Sequence, residues 1–104
     1  MYARVSVEVN RNDLRGEAST ELPRLQRALS GLVAGHRYYW AECSQVGNLW
    51  VWSPDTGARN KFGADVPSGL KMVFVRHEDH LHVLAIGYGA NVVGRALARM
   101  KVRV

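Results

Sequence analysis

The segment VRHEDHLHVLAIG, residues 75–87, places His77, His80 and His82 within six positions, beside Glu78 and Asp79. Histidine exchanges a proton near neutral pH and also ligates transition metals, so the cluster could do either kind of chemistry. In a strand, side chains alternate with period two, which puts His80 and His82 on one face. His77 lies across the turn made by Glu78 and Asp79, and nothing in the sequence fixes a fourth ligand for zinc. Two alternating histidines also arise as polar strand ends, and such short patterns produce many chance matches. The preferred reading holds no metal, with His80 and His82 as the metal-ligating alternative.

The remaining chemistry is cationic. Fourteen Lys and Arg face nine Asp and Glu, a formal charge of +5, and eleven of the fourteen are Arg. An excess of this size points toward polyanions, RNA, DNA or an acidic protein, and arginine grips phosphate bidentately. After Asp79 there is no acid, while Arg95, Arg99, Lys101 and Arg103 follow. Arg95 and Arg99 stand four residues apart, as a phosphate-gripping pair or a solvated helix face. Tyr38, Tyr39, Trp40, Trp50 and Trp52 could stack bases, although alternation assigns about half of them to the core. Cys43 is alone, so neither an internal disulfide nor a multi-cysteine zinc site can form. No apolar run is long enough to span a membrane, and the alternating start MYARVSVEVNR differs from a signal peptide. These features suggest a soluble cytoplasmic protein.

The elements that must position these groups follow from periodicity. Residues 2–9 alternate as a half-buried strand, with Ala3, Val5, Val7 and Val9 on one face. Residues 10–16 are turn-like, with a short helical turn at Asp13 and Leu14. Thr20 is a fitting N-cap for a helix carrying Leu22, Leu25, Leu29 and Leu32, which Gly35 ends. Arg37–Trp40 and Leu49–Trp52 read as a hairpin about Gly47-Asn48. The Gly- and Pro-rich stretch 53–69 reads as loop, with a short strand near Lys61–Phe62. Lys71–Arg76, apolar on both faces, reads as a central strand paired across Glu78-Asp79 with Leu81–Tyr88. Val92, Val93, Ala96, Leu97 and Met100 recur at helical spacing, and residues 101–104 could add a frayed strand. The expectation is one α+β domain over residues 1–104, a small mainly antiparallel sheet with helices packed on one face, in the order β-α-β-β-β-β-α.

The stretch SGLKMVFVRHEDHLHVLAIGYGANVVGRALARM resembles the end of the RelE/ParE superfamily of toxins from toxin–antitoxin modules. The likeness runs through Ser68-Gly69-Leu70-Lys71, where the family has Ser-Gly-Tyr-Arg opening a strand, through Val73 and Phe74, the Glu78-Asp79 turn and Ile86-Gly87. It closes on the helix Val92-Val93-Gly94-Arg95-Ala96-Leu97-Ala98-Arg99-Met100. It covers about a third of the chain. The resemblance implies a compact sheet with helices against it, a metal-independent endoribonuclease acting on mRNA, with RNA or the ribosome and an acidic antitoxin as partners. Such cleavage needs a base for the ribose hydroxyl, cations for the phosphate and an acid for the leaving oxygen. Lys71 takes the place of a sheet arginine of the family, while Tyr88-Gly89 and Val93 stand where a second arginine and a helix tyrosine are expected. The site implied is therefore Lys71, Arg76, His82 and Tyr88 for catalysis, with Arg59, Lys61, Arg95 and Arg99 holding the nucleic acid.

Two other readings accompany this one. The same fold could act without catalysis, as a ParE-like toxin or a binding domain. VRHEDHLH is also similar to the paired-histidine motif of HUH nucleases, which nick single-stranded DNA with a metal and a tyrosine; His80 and His82 would be the ligands, with Tyr2, Tyr38, Tyr39 and Tyr88 as candidate nucleophiles.

Overall fold

A computed structural model describes residues 4–7, 20–67, 69–89 and 91–102. Its elements are β1 (Arg4–Val7), α1 (Leu22–Ala34), α2 (Arg37–Ala41), β2 (Cys43–Val46), β3 (Leu49–Trp52), β4 (Asp55–Arg59), β5 (Asp65–Pro67), β6 (Leu70–His77), β7 (His80–Tyr88) and α3 (Asn91–Val102). The fold is α+β. A five-stranded sheet runs in the order β1-β7-β6-β3-β2, and β4-β5 form a separate two-stranded ribbon. Every pairing in the main sheet is antiparallel except β1 with β7.

The β6–β7 hairpin is the spine of the molecule. It pairs from Leu70↔Tyr88 to His77↔His80, and one irregularity falls where Val73 faces Ala85 while Phe74 faces Val83. Leu84 is therefore an extra residue, a bulge that turns both Leu84 and Ala85 to one side. Because both strands are apolar on both faces, both faces need covering. Leu25, Ala28 and Leu32 of α1 close one core with Trp52, Met72, Phe74, Leu81 and Val83. Val92 and Ala96 of α3 close the other with Leu49, Val51, Val73, Leu84 and Ala85. The helices thus flank the sheet on both sides instead of sharing the single face read from the sequence.

Helix α1 begins one residue later than the Thr20 cap would place it. Glu21 occupies the N-cap position without a side-chain hydrogen bond, Pro23 sits in the first turn, and Gly35 ends the helix at φ 80°. Gly31 lets α2 approach, since a Cβ there would stand 2.0 Å from Cδ2 of Tyr39. Residues 37–40, read from the sequence as a strand, are helical. Their aromatic side chains have strand propensity, but as a short helix they pack against α1 and β3, and tertiary packing wins. Strand β2 is accordingly 43–46, with the expected turn at Gly47-Asn48. Stretch 53–69 holds the β4–β5 ribbon, and Lys61 and Phe62 lie in its turn. Residues 101–102 continue α3. The readings at residues 10–16 and 103–104 fall outside the described residues. No described helix is long and apolar enough to cross a membrane.

Candidate functional site

The strand registers decide which chemistry-bearing side chains meet. His77 faces His80 across the hairpin and Val75 faces His82, so all three imidazoles rise on the α3 side of the sheet. His82 is diagonal to His77, a relation that spans about 7–8 Å in an antiparallel pair. His82 is buried at 7% exposure, and its ring centroid is 5.8 Å from that of His80. The parallel edge strand supplies a partner to the outer ring: Ser6 Oγ and His80 Nε2 are 2.6 Å apart. At the adjoining turn, Arg4 Nη2 donates to Asp79 Oδ1 at 3.2 Å, so one of the two turn carboxylates is already paired with a cation.

Arg76 is the neighbour of His77 and projects to the α1 side. Its guanidinium carbon stands 4.6 Å from the Trp40 ring centroid and 4.9 Å from that of Trp50. The two indoles meet edge to face at 5.4 Å, Trp40 also meets Phe74 at 5.7 Å, and Trp40 Nε1 donates to the Leu32 carbonyl at 3.1 Å. A guanidinium laid on two braced rings loses little further freedom when it meets an anion, which strengthens binding by preorganisation. Cys43 lies close by. Burial pushes its thiol up to about 12, with the Glu42 carboxylate adding to the rise and Arg76 opposing it.

Arg76, His77 and His82 line one open cleft of about 670 Å³, together with Trp50, Gln45 and Asn48. The cleft lies at the end of the sheet where the β6–β7 turn lies and takes its lining from both faces, Arg76 and Trp50 from the α1 side and His77 and His82 from the α3 side. Of the proposed catalytic residues, Arg76 and His82 belong to this cleft. Lys71 and Tyr88 lie at the other end of the same hairpin, since Lys71 pairs with Gly87 and Tyr88 with Leu70. Five residue steps along the strand separate Lys71 from Arg76, about 17 Å, so the two pairs cannot hold one phosphate. Lys71 Nζ is instead 3.3 Å from Ser53 Oγ.

The four residues proposed to hold nucleic acid also divide. Arg59 and Lys61 are exposed on the β4–β5 ribbon, where Arg59 Nη1 donates to the Gly63 carbonyl at 2.8 Å and Lys61 lies 5.1 Å from the Phe62 ring centroid. Arg95 and Arg99 turn inward from α3. Arg95 Nη2 donates to the Ile86 carbonyl at 3.1 Å and Arg99 Nη1 to the Leu84 carbonyl. Both acceptors flank the bulge, and Gly87 makes the approach possible, because a Cβ there would lie 2.4 Å from Arg95 Nη2. The basic helix face thereby fastens α3 to β7.

Among the described residues, no three His, Cys, Asp or Glu side chains stand where they could hold one metal ion. The alternative pair His80 and His82 therefore offers two donors, half of a tetrahedral set. Sequence reasoning gave no functional role to Gln45 or Asn48, weighed His77 only as a zinc ligand, and did not join Trp40 to Arg76. The signal for the latter was present only in retrospect: Trp40 reaches Arg76 because 37–41 is a helix. No family model, curated protein or solved structure matches the chain.

Proposed function

We propose that the protein binds single-stranded RNA in the Arg76–His77–His82 cleft and cleaves it without a metal, as a toxin of the RelE-like kind, held in check by an acidic antitoxin covering this cationic end. The observation that carries this reading is one open cleft lined by two imidazoles on one face of the sheet and by a guanidinium braced on two indoles on the other. The two imidazoles match the proton transfers of the reaction. One imidazole takes the proton of the ribose 2′-hydroxyl as its oxygen attacks the adjacent phosphorus. The other delivers a proton to the departing 5′-oxygen, while Arg76, on the opposite face of the sheet, holds a flanking phosphate of the strand beside Trp50. The P–O5′ bond breaks as the P–O2′ bond forms, leaving a 2′,3′-cyclic phosphate and a 5′-hydroxyl. Trp50 gives the neighbouring base a surface to stack on.

Proton transfer by His82 keeps the role expected from sequence, whereas Lys71 and Tyr88 stand too far away to share it. The test is incubation of the protein with RNA, free and on translating ribosomes, in EDTA. Cleavage ending in cyclic phosphate, at least 100-fold slower in His82→Gln and with weaker RNA binding in Arg76→Ala, is the expected result. RNA that binds the cleft yet stays intact under both conditions would leave a binding domain and remove the nuclease.

A further inference from the structure

A second cavity, of about 230 Å³, opens beside α2 and is lined by Arg24, Arg27, Tyr38, Tyr39, Glu42 and Trp52. It shares no residue with the cleft, yet it is the cleft's neighbour. In the β2–β3 ladder Gln45 pairs with Trp50, both in the cleft, and Cys43 pairs with Trp52, which belongs to the second cavity. Two residues along a strand is a step of about 7 Å.

The lining combines three chemistries. Arg24 and Arg27 stand three apart on α1 and so share a side of the helix. Arg24 Nη1 and Glu21 Oε2 form a loose i, i+3 pair at 3.9 Å. Tyr38 is 71% exposed, and its ring rests edge-on against Tyr39 at 5.2 Å. Tyr39 is itself seated on Gly31. Glu42 is oriented from below, because Nε1 of the buried Trp52 donates to its Oε1 at 3.4 Å. A carboxylate in the same cavity as two arginines would oppose a ligand that is only an anion. It suits one that brings N–H donors as well as a phosphate and a flat face.

We propose that Arg24, Arg27, Tyr38 and Glu42 form a second nucleotide subsite beside the cleft, for a nucleotide whose base presents an amino group to a carboxylate, cytosine above all. The arginines take its phosphate, Tyr38 stacks on the base, and Glu42 accepts from the base N–H groups, as carboxylates accept from cytosine N4. This subsite rests on the RNA-binding reading of the cleft.

Fluorescence anisotropy with labelled oligocytidylate and oligouridylate, three and ten residues long, tests it. A ten-residue C strand should bind at least about fivefold more tightly than the three-residue strand, the low end of the gain from one stacked base. Arg24→Ala/Arg27→Ala and Tyr38→Ala should each remove most of that gain while the three-residue affinity stays within twofold. Glu42→Gln should reduce a C-over-U preference of about tenfold to less than threefold. A length gain unchanged in the double arginine and Tyr38 variants, or equal affinity for C and U, overturns the subsite while short-strand binding leaves the cleft standing. If only long strands bind and Arg24→Ala/Arg27→Ala abolishes that, the subsite stands and the cleft reading falls. If no strand binds, both fall.

Discussion

The junction of α1 with α2 offers a quantitative test of how the site is braced. In Gly31→Ala the new methyl would lie 2.0 Å from Tyr39 Cδ2 and 2.3 Å from Cε2, far inside van der Waals contact. The ring must move. Forcing an extra carbon into a packed contact costs about 1–3 kcal/mol, and replacing a helical glycine by alanine returns about 1 kcal/mol. The net loss expected is therefore about 1 kcal/mol, with a ceiling near 2, which lowers Tm by about 4–8 °C per kcal/mol in a domain of this size. Tyr39→Ala removes the obstacle. In that background Gly31→Ala should be neutral or stabilising by up to about 1 kcal/mol. Urea unfolding of the four proteins, followed by tryptophan fluorescence, gives the coupling between the two sites directly. An equal cost for Gly31→Ala in both backgrounds would refute the idea that the Tyr39 ring is what the glycine accommodates.

Other expectations follow from single contacts. Arg99→Ala should cost about 1–3 kcal/mol in urea unfolding, because the Leu84 carbonyl beside the bulge loses a charged donor, whereas Arg99→Lys should recover part of the loss. Asp79→Asn should change stability by under about 1 kcal/mol, since its ion pair with Arg4 is exposed on both sides. Cys43, whose thiol is pushed from 9.0 up to about 12, stays protonated through neutral pH. Its alkylation at pH 8 should be much slower in the folded protein than in urea. Because the folded thiol ionises later than the unfolded one, its contribution to stability is present below pH 9 and is lost as pH rises from 9 toward 12. Cys43→Ala should flatten that decline in a pH series of urea unfolding curves. Arg76→Ala should reduce the salt slope of RNA binding by about one, the mark of a lost phosphate contact.

The parts of the fold that the sequence made legible were those with one dominant signal. The β6–β7 hairpin announces itself through two apolar runs about a polar turn, and α1 through its leucine stripe and closing Gly35. Residues 37–41 were not legible, because Tyr-Tyr-Trp favours a strand locally and only the seat on Gly31 and the cover over Phe74 make it helical. The side of the sheet covered by α3 was hidden for a related reason. A strand apolar on both faces shows that two layers must cover it without showing which helix takes which face.

At the candidate site, sequence spacing located the histidines but could not give their geometry. That His77 rises on the same side as His82 depends on the His77↔His80 register, which a one-residue slip would reverse. The motif that joined Lys71, Arg76, His82 and Tyr88 treated neighbours in a pattern as neighbours in space. Along an extended strand five positions are already a separate place. The pair Arg95 and Arg99 shows the converse error of reading a basic helix stripe as a surface. Two carbonyls beside a β-bulge needed donors, and the arginines supply them.

The most direct measurement is a titration of the protein with a short single-stranded RNA, followed through the imidazole resonances of its histidines. His77 and His82, which line the cleft, should shift together and saturate with one affinity, while His36, the N-cap of α2 and not part of the cleft lining, should stay unmoved. Shifts confined to His36, or none at His77 and His82 at saturating RNA, would contradict the account.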